Sequence, residues 1–235
     1  MLLKRRRIIA DDNVPNLTAL ENSSKGLLKG NPGMSIISVL VEYCDNATGG
    51  HIHRTQIYLE RLLIKLEAEK IYSEEIAAWN RDVLLSASQL HDVGKITIGD
   101  LILKKPSSLT PDEFEVMKTH VQAGVDVISL IESKSSDSRF FVLAKSIAGS
   151  HHEKWNGTGY PKGLAGTEIP LEGRLMAIVD VYDALVSPRI YKEPYSPAMA
   201  SKIIIDGSGT CFDPKIVGAF TMLLSEFAEI SRSCK

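Results

Sequence analysis

An all-α helical bundle is the expected fold of this chain. Apolar residues recur at helical spacing through most of residues 34–235. Thr110-Pro111, Ser196-Pro197 and Asp213-Pro214 each set a capping side chain before a proline at the first helical position. Within residues 34–235 no segment alternates apolar and polar residues convincingly enough for a strand.

In chain order, residues 1–33 stand apart from the rest. Arg7-Ile8-Ile9-Ala10-Asp11-Asp12-Asn13 reads as a short strand ending in acids, followed by Val14-Pro15-Asn16-Leu17. Over about the first 20 residues it is similar to the opening of a response-regulator receiver, truncated; the plainer reading is a mobile tail. A whole receiver needs roughly 100 residues or more, so control by phosphorylation within this chain is not expected. Ser23-Ser24-Lys25-Gly26 and Lys29-Gly30-Asn31-Pro32-Gly33 read as linker. One domain is then expected over 34–235. Met34–Tyr43 is apolar enough for a buried helix. His51–Lys70 carries Ile57, Leu59, Leu62, Leu63 and Leu66 on one helix, and Glu74–Leu90 carries Ile76, Trp79, Val83, Leu84 and Leu90 on the next. The three capped starts open further helices, and Glu113 completes a capping box with Thr110. Helices are also expected over Arg139–His151 and Leu171–Val186. Between them, Glu153–Pro170 is a long glycine-rich loop.

A chain of 235 residues with 44% hydrophobic and 24% charged residues is ordinary globular material, long enough for a full core. Its 27 basic and 29 acidic residues nearly cancel, which excludes an electrostatic footprint for a nucleic-acid polymer. Cys44, Cys211 and Cys234 are far apart and odd in number, so neither a disulfide framework nor a zinc knuckle is expected. No apolar run approaches the roughly 18 residues of a membrane span. Lys4-Arg5-Arg6-Arg7 is followed by too few apolar residues for a signal peptide. A cytoplasmic protein without membrane contact is the expectation.

The chemistry concentrates in histidines and aspartates. His91 follows Leu84 by seven and Ala87 by four, the buried stripe of its helix. His120 and His151 are likewise spaced from apolar residues, and Asp180 sits within Ile178-Val179-Asp180-Val181-Tyr182. A carboxylate buried without a partner costs several kcal/mol, on the order of a whole buried ion pair's worth of destabilisation. Imidazoles and carboxylates directed inward from several helices are best explained by a shared cation. Mixed nitrogen and oxygen ligands suit iron, manganese or zinc. The adjacent pairs His91-Asp92 and His151-His152 raise the ligand count beyond what one ion needs, which points to two.

The chain resembles the HD-GYP family of bacterial cyclic di-GMP phosphodiesterases. The matching stretches are His91-Asp92-Val93-Gly94-Lys95, Lys105-Pro106, Leu109-Thr110, Met117-Lys118-Thr119-His120 and His151-His152-Glu153-Lys154-Trp155-Asn156-Gly157-Thr158-Gly159-Tyr160-Pro161. Asp180-Val181-Tyr182-Asp183-Ala184-Leu185, Arg189-Ile190-Tyr191-Lys192 and Phe212-Asp213-Pro214 complete the match. The resemblance implies an HD-type helical bundle with a long Gly-Tyr-Pro loop. It implies two divalent ions, iron or manganese, bridged by Asp92. His51, His91 and Asp180 would complete one site, and His120, His151 and His152 the other. His53 has no counterpart and reads as a surface residue. Lys95, Arg189 and Lys192 would contact phosphate, with Tyr160 stacking on a base or else packing the loop. Trp155 reads as a loop-packing residue. Asp183, one turn after Asp180, would orient a ligand histidine or be a solvated acid.

The implied reaction is hydrolysis of cyclic di-GMP to linear pGpG, with possible partners among diguanylate cyclases. A water acidified by the metal pair would attack phosphorus while Asp92 and Lys95 serve the catalytic centre. Two departures stand out. Ala47 occupies the position of a glutamate that gives some members a third metal, which favours a binuclear centre and arrest at pGpG rather than GMP. Pro188-Arg189-Ile190 stands where the family more often has an acid followed by Arg-Pro. The competing readings are a cyclic di-GMP-binding or partner-docking module without turnover, and a general HD phosphohydrolase of mononucleotides.

Overall fold

A computed structural model describes residues 50–134, 138–188 and 193–233. The tail, the receiver-like stretch and Met34–Tyr43 lie outside the described residues. Those described are helical: α1 (His51–Ala68), α2 (Ser73–Ala77), α3 (Arg81–Ser88), a 3-10 turn (Val93–Thr97), α4 (Asp100–Leu103), α5 (Pro111–Lys118) and α6 (His120–Glu132). Then come α7 (Ser138–Ser150), a 3-10 turn (Gly166–Glu168), α8 (Leu171–Val186), α9 (Pro197–Asp206), α10 (Pro214–Thr221) and α11 (Leu224–Ser233). Among the described residues extended pairing is limited to two isolated bridges, Asn156 with Ala165 and Ser208 with Phe212. The all-α expectation therefore holds.

The core forms where α8, apolar nearly all round, is wrapped by its neighbours. Leu175, Met176, Ile178, Val179 and Tyr182 of α8 are buried, as are Tyr58, Leu59, Leu62, Leu63 and Leu66 of α1. Tyr58 stacks on Phe227 at 4.5 Å between ring centroids, and Tyr182 meets Tyr58 edge-on at 5.3 Å, an arrangement that suits the ring quadrupoles. On the other side α7 packs against α3, α6 and α8. No described helix is long and apolar enough to cross a membrane.

All three Pro-marked helix starts are real. The side chains of Thr110, Ser196 and Asp213 accept from the backbone N–H of Glu113, Met199 and Lys215. Glu113 closes the capping box by accepting from the Thr110 N–H at 2.7 Å and also takes Lys105 Nζ at 2.5 Å. Thr110→Ala should cost about 1 kcal/mol, read as a lower urea midpoint with unchanged slope.

One expected helix is two. The apolar spacing runs without interruption from Glu74 to Leu90, yet Asn80 takes an extended conformation and accepts from the Val83 N–H at 3.1 Å. Asparagine offers the backbone an alternative to the helical ladder, so the chain ends α2 and starts α3 there. Trp79 and Val83 still pack on the core from either side of the break.

After α3 the chain turns and presses Val93–Thr97 against the first turns of α6. Gly94 makes that approach possible: a Cβ there would collide with the His120 carbonyl and the Gly124 backbone. The contact brings the residue pair before Gly94 alongside the residue that opens α6.

Candidate metal centre

Helix ends deliver most of the site. His51 opens α1, His120 opens α6, and His151 and His152 follow the last turn of α7. His91 is buried as expected but does not lie on a helical stripe. The α-helix stops at Ser88, and the His91 N–H reaches back only three residues, to the Ser88 carbonyl. Asp180 and Asp183 come from one face of α8, a single turn apart.

Hydrogen bonds on the outer ring nitrogens fix the imidazoles. His51 Nδ1 lies 2.8 Å from Asp183 Oδ2, His91 Nδ1 2.9 Å from the Ser88 carbonyl and His120 Nδ1 2.6 Å from the Met117 carbonyl. His151 Nδ1 is 3.1 Å from the carbonyls of Ile147 and Ala148. These partners only accept, so each Nδ1 carries a proton and Nε2 is the ring atom that each histidine turns inward. The inward atoms converge on one carboxylate. His91 Nε2 is 3.3 Å from Asp92 Oδ2, while His120 and His151 Nε2 are 3.3 Å and 3.6 Å from Asp92 Oδ1.

Asp92 Oδ1, His120 Nε2 and His151 Nε2 are buried and satisfy no hydrogen bond. Each such atom costs roughly 1–3 kcal/mol if left so, and a cation placed among them removes the cost. The potential ligands fall into two groups, Asp92 with His120, His151 and His152, and Asp92 with His51 and His91, each with its donor atoms within 4.8 Å of one another. Asp92 belongs to both. Asp180 Oδ1 adds to the second group, 3.6 Å from His51 Nε2 and 3.8 Å from His91 Nε2. The donor set fits divalent metal ions.

The electrostatics agree. Burial works against the Asp92 carboxylate, but Lys95 and His91 outweigh it and hold it well below the ordinary range. Burial pushes His151 down, and burial with its neighbour His151 pushes His152 well down, so both favour the neutral form that binds metal. His91 behaves oppositely. Burial disfavours its charge, yet Asp92 and Asp180 overcome this and push it up to about 9 in the metal-free protein. A proton on Nε2 there occupies the place of a cation. Metal affinity of this group should therefore weaken as pH falls below about 9, by at most roughly tenfold per pH unit for one displaced proton. Calorimetric titration at pH 7 and pH 9 in buffers of different ionisation heat checks both affinity and proton release; equal affinities would contradict it.

Every expected ligand position within the described residues lies in this cluster: His51, His91, Asp92, His120, His151, His152 and Asp180. Lys95 sits at its edge, with Nζ 2.8 Å from Asp92 Oδ2. Tyr160 stacks on His152 with 4.7 Å between centroids, its phenol pushed up by burial and by Asp92. Trp155 packs the loop as expected, with the Arg174 guanidinium 5.9 Å over its ring. His53 is half-buried and stands outside both ligand groups. Arg189 and Lys192 lie outside the described residues.

Asp183 is fully buried, so its reading as a solvated acid is wrong; burial raises its carboxyl, and the His51 and Arg54 partners more than offset that. Two contributors were not singled out from sequence. Arg54 binds Asp183 through Nε and Nη2 at 2.7 and 2.9 Å. Glu153 is buried and accepts from the N–H groups of Lys162 and Leu164, folding the Gly-Tyr-Pro loop back over the cluster's edge. Adjacency to the ligand motifs, three residues after His51 and one after His152, was the available signal for both.

Comparison with known proteins accords with this geometry. The HD domain family profile matches residues 53–216. A Vibrio cholerae protein named cyclic di-GMP phosphodiesterase is 41% identical over 240 residues, covering 98% of this chain and 49% of its own. A Thermotoga maritima protein of the same name is 38% identical over 199 residues, covering 85% of this chain and 50% of its own. A second Vibrio cholerae protein, named 3′3′-cGAMP-specific phosphodiesterase 2, is 36% identical over 222 residues, 94% of this chain and 39% of its own. The chain spans about half the length of the first two of these relatives or less. The crystal structure of a Vibrio cholerae cyclic GMP-AMP-specific phosphodiesterase superposes with a TM-score of 0.55 at 20% identity, over 92% of this chain and 51% of the other, a likeness of fold. By this match over most of its length, the chain belongs to the HD domain family.

Proposed function

We propose that this chain is a metal-dependent phosphodiesterase of the HD-GYP kind that hydrolyses cyclic di-GMP to linear pGpG. The observation that carries the reading is Asp92, one carboxylate common to two groups of inward-facing ligand atoms. In this reading His51, His91, Asp92 and Asp180 hold one ion and Asp92, His120, His151 and His152 the other. Iron or manganese suits a set of imidazoles and carboxylates without thiolate. Bound there, the pair supplies a water acidified towards neutrality and a positive field for the phosphoryl oxygens.

The protein's own groups do the rest. Water oxygen bonds to phosphorus, the P–O3′ bond breaks, and the leaving oxygen ends as a 3′-hydroxyl opposite a new 5′-phosphate. Lys95 stands beside Asp92 with part of its side chain solvent-accessible, placed to neutralise charge gathering on the phosphoryl oxygens. Arg189 and Lys192 are assigned to the second phosphate and Tyr160 to base stacking. The domain is taken to run over 34–235, to work in the cytoplasm and to meet signalling proteins such as diguanylate cyclases.

The test is incubation of manganese- or ferrous-loaded protein with cyclic di-GMP, with products separated by chromatography. Linear pGpG should accumulate and a chelator should stop it. Intact cyclic nucleotide in the presence of two bound ions would leave the non-hydrolytic binding module as the better reading.

A further inference from the structure

Beside the metal cluster runs a groove of about 570 Å³, lined by Tyr160 and Pro161 of the loop and by Lys118, Gln122 and Asp126 of α5 and α6. Its size is that of a small-molecule subsite. One face of Tyr160 is taken by His152, so the groove begins where the metal cluster ends. We infer that this groove receives one nucleobase of the substrate and that Asp126 makes it selective for guanine over adenine. The inference rests on the cyclic-dinucleotide reading above and adds which base is read and by what.

The polar groups have the pattern a guanine edge requires. Gln122 and Asp126 are four residues apart on α6 and share its exposed face; Gln122 Nε2 donates to Asp126 Oδ1 at 2.9 Å. That bond holds the carboxylate in place and uses one oxygen. The other oxygen and the Gln122 carbonyl oxygen are acceptors on the same wall. Guanine offers two donors side by side there, N1–H and the 2-amino group. Adenine offers a bare N1 lone pair in the first position, and a carboxylate facing it is repelled. Lys118 Nζ stands 5.8 Å from the Tyr160 centroid and 5.6 Å from that of Phe114, on the same rim; it pairs with Glu115, which also lines the groove, at 2.7 Å and keeps further N–H groups to donate to guanine O6 or N7. Phe114 meets Tyr160 edge-on at 6.1 Å and steadies the ring on which the base would lie. A stacking ring alone accepts any base; an anchored carboxylate beside it does not.

The experiment compares kcat/KM for cyclic di-GMP, 3′3′-cGAMP and cyclic di-AMP in the wild type, Asp126→Ala and Asp126→Asn, all loaded with manganese. Asp126 is exposed, so both variants should fold, which circular dichroism checks. The preference for cyclic di-GMP over cyclic di-AMP should shrink roughly 10- to 100-fold in Asp126→Ala. Asp126→Asn, whose amide can both donate and accept, should move it further towards adenine. Wild-type turnover with a guanine-to-adenine ratio unchanged within about twofold in both variants would overturn the inference and leave the phosphodiesterase reading standing. A wild type that cleaves none of the three substrates would overturn both.

Discussion

Replacing Asp92 by alanine should strip both ions from the protein and lower turnover by roughly 1,000-fold or more. The size of the effect follows from the carboxylate's place in both ligand groups. Any one histidine serves a single group. Asp92 faces His91 through one oxygen and His120 and His151 through the other. Without it, three Nε2 lone pairs converge with no anion to balance the charge of two cations. The variant should report 0 to 1 ion per chain where the wild type reports 2, by mass spectrometry of exhaustively desalted protein, a count expected for a bridged pair. Asp92→Asn sharpens the test, since it keeps the shape and one acceptor oxygen but removes the charge. It should retain fold and lose metal. If the asparagine variant kept two ions and near wild-type turnover, the bridging role would be refuted, and the ions would have to be held by the histidines alone.

How much of this was legible beforehand differs by feature. The starts of α5, α9 and α10 were legible because a cap and a proline act locally and need no tertiary partner. The bounds of α8 were legible because its apolar residues repeat without competition from turn residues. Asn80 was not, because its capping bond is local while the apolar period continues straight through it. His91 shows the same weakness: spacing put it on a helical stripe, and a turn put it in the core. Burial cost and adjacency pointed to His91, Asp92, His120, His151, His152 and Asp180, while His51 and the division into two sites came from the resemblance to the HD-GYP family. Their partners could not be named. Arg54 and Asp183 are 129 positions apart, and nothing in either neighbourhood announces the other.

That hidden pair governs the second large effect. Arg54→Ala should destabilise the metal-free protein by about 3–5 kcal/mol. Asp183 is fully buried, and its carboxylate stays charged because Arg54 holds both oxygens and His51 donates to one of them. Its carboxyl is held below the ordinary range, so the wild type keeps this contribution above the unfolded carboxylate range and loses it only as pH falls through the lowered folded value. With Arg54 gone the folded value rises, and the acid limb of the stability curve should begin at higher pH. His51 then keeps its hydrogen bond to a carboxylate that the guanidinium no longer holds in place, so its ring is fixed less firmly for metal at Nε2. Metal affinity of the first group should fall roughly 10- to 100-fold, the usual cost of losing such an outer partner. Stability and orientation can be separated by a double replacement, Arg54→Met with Asp183→Leu. Removing both charges together should restore much of the stability lost by Arg54→Ala, since no carboxylate is left buried alone. It should not restore metal affinity, because nothing then fixes the His51 ring. Recovery of both in the double variant would mean that the pair only fills space, and that the N-terminus of α1 presents His51 correctly without help.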